Sequence, residues 1–384
     1  MTSDQPSAEA GFWERAAELA RRGRGLVSPN PMVGAVLVKD GLIIGEGWHK
    51  NHGGLHAERE AIADAGKRGN PVEGTTMFVT LEPCGHTGLQ PPCADALIEA
   101  GVAKVVYACA DPTPNTCGVG PEMLRTAGIE VQQAAPDEVV VVRGLIQDFL
   151  KRAETGRPLL VLKIAMSLDG VVATRSGDSK WISGPESREL VHRWRADLDA
   201  VAIGSGTYTA DNPRLTARPE KPASESEGEI SPLRQPARVI FDSGPVVSPK
   251  AALFEDARDA PVLLVVGPGA DPDRLARLEA AGAEVLSTGG GGRRERFLEA
   301  MDLLGERGIS SILLEGGPVL AGVALDSGEV DRFEVFVAPI VLGGGRAAVE
   351  GEGPLKVDDA MRVGNMLVTR VGQDVHMSAQ MKAW

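Results

Sequence analysis

The residue types able to do chemistry cluster early in the chain, at His56-Ala57-Glu58, then Pro83-Cys84 and Pro92-Cys93. One imidazole and two thiolates form the three-ligand set of a catalytic zinc, which keeps a fourth position open for water. Water bound at such a site is acidic enough to act as hydroxide near neutral pH. Glu58, two residues past the histidine, is then free to carry the water proton to an amino group that leaves as ammonia. Zinc deaminases pair His-x-Glu with Pro-Cys-x-x-Cys, and the gap between Cys84 and Cys93 is longer here.

The other polar candidates near this cluster read more plainly. Cys109 ends an apolar strand and Cys117 sits in a loop after Pro114, so both read as structural thiols. His49, His52 and His86 flank the site, and Asn30, between Pro29 and Pro31, is placed to present its amide to a base. All four cysteines lie in one short stretch of the first half. In a reducing compartment that clustering favours metal over disulfides.

Elements must bring these residues together, and the length of 384 residues predicts two domains to do so. Phe12, Ala16, Leu19 and Ala20 repeat at helical spacing up to Gly23. Residues 32–38 and 42–48 read as strands joined at Asp40-Gly41, a hairpin signal. Helix is expected over 56–65, strand over 76–81, helix over 94–100, strand over 104–108, helix over 121–127 and strand near Glu130. This alternation predicts a three-layer α/β unit with a mostly parallel second part. A helix over 137–153 precedes a boundary at Gly156-Arg157-Pro158.

Beyond that boundary strands are expected over 159–165, 200–204, 238–241, 262–266, 311–314 and 333–337, with helices between several of them. Residues 219–236 and 289–292 read as loops. The second half holds no metal-ligand cluster, but Glu315-Gly316-Gly317 ends a strand before a helix starting near Pro318, where backbone N–H groups can cradle a phosphate. Arg195 and Arg218 suit a substrate phosphate, which a guanidinium can grip at two points.

Composition narrows the function classes. A formal net charge of -13 speaks against polynucleotide binding. No apolar run approaches a membrane span or a secretory segment, which points to a cytoplasmic protein without a membrane partner.

Taken together, Pro29-Asn30-Pro31, His56-Ala57-Glu58, Thr80-Leu81-Glu82-Pro83-Cys84 and Pro91-Pro92-Cys93 resemble the deaminase half of the bifunctional riboflavin-biosynthesis deaminase-reductases. Lys163, Ser167-Leu168-Asp169-Gly170, Ser179-Lys180-Trp181-Ile182, Gly206-Thr207, Ala210-Asp211-Asn212-Pro213, Asp242-Ser243 and Glu315-Gly316-Gly317-Pro318 resemble the reductase half. The resemblance covers nearly the whole chain in order. It implies an α/β protein: a cytidine-deaminase-like three-layer domain over residues 1–155 and a dihydrofolate-reductase-like domain over 156–384. It implies zinc and NADPH as cofactors, a pyrimidine ribosylamino phosphate as substrate, and a homo-oligomer.

The same resemblance distributes roles. His56, Cys84 and Cys93 would hold zinc, with Glu58 catalytic. Ala165, Trp181, Thr207, Asp211, Ser243, Gly317, Pro318, Val319, Leu320, Ala321, Gly322 and Val323 would contact NADPH. Asn30, Ser179, Arg195, Leu215, Arg218 and Glu315 would bind substrate, with Lys163, Asp211 and Glu315 serving reduction. Two departures stand out: Leu89 replaces a basic residue, and Val119 stands where the family shows a basic residue between two glycines. They leave a paralogue acting on a related pyrimidine as an alternative. A non-catalytic zinc platform fused to a working reductase is another, against which Glu58 speaks.

Overall fold

A hairpin opens the first sheet because Asp40 and Gly41 both adopt positive φ, 50° and 76°, the geometry of a tight two-residue turn. It joins β1 (Gly34–Lys39) to β2 (Leu42–Trp48). The computed structural model describes residues 9–114, 116–220, 234–255 and 260–384. The chain divides into a first compact unit that runs to Thr155 and takes in Trp384, and a second from Gly156 to Ala383.

In the first unit, α1 (Ala10–Arg21) precedes the hairpin, and α2 (Ala57–Lys67), β3 (Thr76–Leu81), α3 (Cys93–Glu99), β4 (Lys104–Cys109), α4 (Val119–Thr126) and β5 (Glu130–Gln133) follow it. The sheet order is β2-β1-β3-β4-β5, antiparallel up to β3 and parallel beyond. Small residues set the layer spacing. A Cβ on Gly47 would lie 2.3 Å from Ala57 O, and one on Gly45 would lie 2.5 Å from Ala61 O, so β2 meets α2 backbone to backbone. Ala57, Ala61 and Ala65 are completely buried at that contact.

The helix expected over 137–153 is instead two, α5 (Val140–Leu145) and α6 (Gln147–Thr155). Ile146 interrupts them with φ -115° and ψ 21°, outside helical geometry. The β-branched run from Val139 to Val142 carries weak helix preference, and Val139, Val142, Ile146 and Leu150 are held by burial instead.

The second unit is built from β6 (Leu159–Ser167), β7 (Val171–Ala173), α7 (Pro185–Asp197), β8 (Ala200–Gly204), α8 (Ser205–Asp211), β9 (Ala237–Phe241), β10 (Val262–Val266), α9 (Pro272–Ala280), β11 (Ala283–Ser287), α10 (Arg293–Glu306), β12 (Ser311–Leu314), α11 (Pro318–Ser327), β13 (Val330–Ala338), β14 (Arg346–Ala347), β15 (Met366–Val371) and β16 (Asp374–Gln380). Nine strands form one sheet, β11-β10-β9-β8-β12-β6-β13-β16-β15, in which every pair is parallel except β13–β16 and β16–β15. The parallel strands read as continuous apolar runs because helices cover both faces. Residues 289–292 do form the loop between β11 and α10. Of the loop expected over 219–236, residues 221–233 lie outside the described residues.

Candidate active sites

The first site forms at the carboxyl ends of the parallel strands, where open α/β sheets place their ligands. His56 caps the N-terminus of α2 in extended geometry, Cys84 follows β3 by three residues, and Cys93 begins α3. Cys84 Sγ lies 3.6 Å from His56 Nδ1 and Cys93 Sγ 3.3 Å from it. All three ligand atoms fall within 4.8 Å of one another. Zinc bonds of about 2.0–2.3 Å in tetrahedral geometry require ligand atoms roughly 3.3–3.8 Å apart, so these side chains fit the ion.

Charge in the cluster is shared. The Cys93 thiol hydrogen bond holds Cys84 well below the usual thiol range, and the same contact drives Cys93 up. The hydrogen bond with Cys84 also raises His56. Glu58 is buried at 3% exposure in the first turn of α2, and burial, followed by the negative charge of Cys84, pushes its carboxyl up to about 7.

The surrounding loops are tied down by polar contacts. Asn30 Nδ2 lies 3.1 Å from His49 Nε2, and His49 Nδ1 lies 3.0 Å from Leu55 O. The set is satisfied when His49 donates from Nδ1 and accepts at Nε2. Burial lowers the His49 pKa, which favours that neutral ring. Asn30 thus stands beside the site through His49.

Glu82 precedes Pro83-Cys84, and its buried carboxylate accepts from Gly118 N and Asp111 N, so it fixes two loops to the end of β3. Sequence alone assigns it no such role. A Cβ on Gly120 would lie 1.8 Å from Pro83 O, so the start of α4 presses against the residue before Cys84. Leu89, at 75% exposure, and Val119, at 39%, carry no charge to this side of the site.

The second site is a cavity of about 1710 Å³ at the carboxyl ends of β6, β8, β9 and β12. A single small-molecule site takes about 300–1,000 Å³, so a dinucleotide and a sugar phosphate can share it. Its walls include Lys163, Ala165, Ser179, Trp181, Arg195, Thr207, Asp211, Leu215, Arg218, Ser243, Glu315, Gly317, Pro318, Val319, Leu320 and Val323. Gly317 caps α11 in extended geometry with Pro318 at the first helical position, and a Cβ there would lie 3.2 Å from Thr207 Oγ1.

Two of the expected cofactor contacts do not reach this wall. Ala321 is completely buried in the core, and a Cβ on Gly322 would lie 2.3 Å from Glu350 O. The helical period explains both, since 319, 320 and 323 share one face of α11 while 321 and 322 turn away.

Three charged residues have definite partners. Arg195 grips Glu315 at two points, Nε to Oε1 at 2.6 Å and Nη2 to Oε2 at 2.9 Å, and its Nη1 donates to Thr216 O at 3.1 Å. The fork expected to hold a phosphate is therefore spent on a carboxylate. Burial opposes the charge of Glu315, but Arg195 outweighs it and holds the carboxyl below the usual range. Burial also lowers Lys163, partly countered by Glu315. Asp211 faces Lys180 Nζ at 3.1 Å.

Relatives agree with this architecture. Residues 6–109 match the cytidine and deoxycytidylate deaminase zinc-binding region, and residues 158–377 match the RibD C-terminal domain. The riboflavin biosynthesis protein RibD of Haemophilus influenzae is 41% identical over 88% of this chain and 87% of its own length. The Escherichia coli protein of the same name is 38% identical over 95% and 97%. Among solved structures, Acinetobacter baumannii RibD superposes with a TM-score of 0.84 at 36% identity, covering 97% of this chain and 98% of the other. The Thermotoga maritima diaminohydroxyphosphoribosylaminopyrimidine deaminase/5-amino-6-(5-phosphoribosylamino)uracil reductase gives 0.80 at 35%, with the same coverage. Similarity across both halves favours neither a specialised paralogue nor a zinc platform without activity. The chain belongs to the RibD family of riboflavin-biosynthesis enzymes, which join a zinc-dependent deaminase to an NADPH-dependent reductase.

Proposed function

We propose that residues 1–155 deaminate a 2,5-diaminopyrimidin-4-one carrying a ribosylamino 5′-phosphate, and that residues 156–384 reduce the ribose of the product to a ribityl chain. The observation that carries the first step is the convergence of His56, Cys84 and Cys93 beside buried Glu58. Zinc held by those three residues supplies a Lewis acid that makes water nucleophilic near neutral pH. Glu58 takes the water proton on its carboxylate and delivers it to the departing amino group. Asn30, fixed through His49, orients the pyrimidine.

In the second unit NADPH supplies a hydride. Gly317 and Thr207 would hold its phosphates at the N-terminus of α11, with Pro318, Ala165, Trp181 and Ser243 lining the cavity beside it. Ser179 and Leu215 border the sugar. Lys163 or Asp211 moves the proton that opens the ribose ring, while Glu315, held by Arg195, accepts from ribose hydroxyls. Arg218 takes the phosphate. The exposed apolar residues of β15, Met366, Leu367 and Val368, support a homo-oligomer formed through the second unit. Four unpaired cysteines support a cytoplasmic location, and no helix among the described residues is long and apolar enough to cross a membrane.

Incubation with the diaminopyrimidine and NADPH, following ammonia and nicotinamide absorbance together, tests this order. Ammonia release ahead of NADPH oxidation is expected. Oxidation of NADPH with no ammonia would overturn it.

A further inference from the structure

Helix α7 carries Glu189, His192 and Arg195 three residues apart, on one stripe. Residues 216–220 run opposite that stripe and are joined to it rung by rung in antiparallel sense. Arg195 Nη1 donates to Thr216 O at 3.1 Å, Arg218 N donates to His192 Nδ1 at 3.3 Å, and Glu220 N donates to the Glu189 carboxylate at 3.0 and 3.1 Å. Ala217 turns its backbone the other way: its N donates to Gln235 Oε1 at 2.9 Å and its O accepts from Gln235 Nε2 at 3.0 Å. Alternation of this kind is that of extended backbone. The segment is held as a strand would be, with side chains in place of neighbouring strands.

Arg218 leaves this segment with Nη1 on Thr216 Oγ1 at 3.0 Å and lines the cavity. Its guanidinium faces no carboxylate among the described residues, whereas Arg195 in the same wall is neutralised by Glu315. Arg218 is therefore one of the cations, with Arg188, Arg293 and Arg296, that the cavity offers to the anionic end of a substrate.

We propose that His192 and Gln235 are positioning residues for the substrate phosphate: they hold residues 216–220 in place so that Arg218 presents its guanidinium to the cavity before substrate arrives. This rests on the reading of Arg218 as the phosphate contact. Order imposed in advance removes a cost that would otherwise be taken from affinity. A neutral ring protonated on Nε2 accepts at Nδ1, as the rung requires. Burial, then the charges of Arg195 and Arg218, lowers the His192 pKa and favours that form.

Steady-state reduction by the full chain, with the phosphorylated ribosylaminouracil and its dephosphorylated form, tests the proposal. His192→Leu removes the acceptor, while His192→Asn restores one close to the Nδ1 position. His192→Leu and Gln235→Leu are expected to raise KM for the phosphorylated substrate about tenfold, the scale of one weakened charge-assisted contact. KM for the dephosphorylated form and kcat should stay within about twofold on the same scale, and His192→Asn should recover most of the loss. Arg218→Ala should raise the phosphorylated KM at least as far. If Arg218→Ala does so while both leucine variants leave KM unchanged, the positioning role is overturned and the reading of Arg218 stands. If Arg218→Ala leaves the ratio of the two KM values unchanged, that reading fails and the proposal with it. Equal losses on both substrates without rescue by asparagine would show a merely structural role and also overturn it.

Discussion

Arg195 and Glu315 meet in a two-point ion pair across 120 positions of sequence, with contacts of 2.6 and 2.9 Å and side-chain exposures of only 14% and 12%. Removing one partner of such a buried pair leaves the other charge uncompensated, at a cost of about 3–5 kcal/mol. Glu315→Gln is therefore expected to lower the melting temperature of the second unit and to raise KM in reduction.

The same pair sets a pH dependence. The Glu315 pKa is depressed below its ordinary 4.5 in the folded chain, so its contribution is complete above that value and is lost as pH falls through the lower folded value. The gap in melting temperature between the native chain and Glu315→Gln should be constant above about pH 5 and shrink below about pH 4.5. A gap unchanged down to pH 3, about 1.5 units below that ordinary value, would refute the assignment.

Removing zinc with a chelator should affect the two units unequally. Because His56, Cys84 and Cys93 bring together β3 and the starts of α2 and α3, the first unit should lose thermal stability along with ammonia release. NADPH oxidation with the deaminated uracil should persist. Loss of both activities together in calorimetry and assay would contradict independent sites.

Gly120 offers a test of how the metal loop is held. A Cβ there would lie 1.8 Å from Pro83 O, so Gly120→Ala must displace the segment that carries Cys84. A destabilisation of about 1–3 kcal/mol, with weakened zinc retention, is expected. Gly11, with nothing within 4 Å of its Cβ position, serves as control; Gly11→Ala in α1 should be neutral or stabilising by up to about 1 kcal/mol. Chemical denaturation of both variants measures this.

Leu89 and Val119 bring no cation to the deaminase site. One charge-assisted hydrogen bond to phosphate is worth about 1.5–3 kcal/mol, so the first reaction should show a weak preference for the phosphorylated substrate. Ammonia release from the phosphorylated and dephosphorylated forms should differ by less than about tenfold, roughly the lower end of that range. A strong preference would show that other residues supply the grip.

The metal cluster was legible in the sequence because its chemistry needs particular residue types, and His56, Glu58, Cys84 and Cys93 in that order suit little besides zinc-assisted deamination. The buried parallel strands were legible as apolar runs, as at Val262–Val266 and Ser311–Leu314. Edge elements were harder. β15 has exposed residues on both faces and β11 mixes buried, half-buried and exposed positions, so the pairing of β16 with β13 and of β11 with β10 decides these elements rather than pattern. Arg195 has the residue type of a phosphate ligand, and nothing in local sequence shows that the fold carries Glu315 to it. The ladder of Glu189, His192 and Gln235 was illegible for a related reason, since its rungs run from side chains to backbone.

The most direct test of two successive chemistries in one chain is Glu58→Gln assayed on each substrate, with zinc content measured alongside. Zinc should be retained, ammonia release from the diaminopyrimidine should fall by about 10²–10⁴-fold, and NADPH oxidation with the deaminated uracil should continue at the native rate. Ammonia release at the native rate from the zinc-loaded variant would contradict the account.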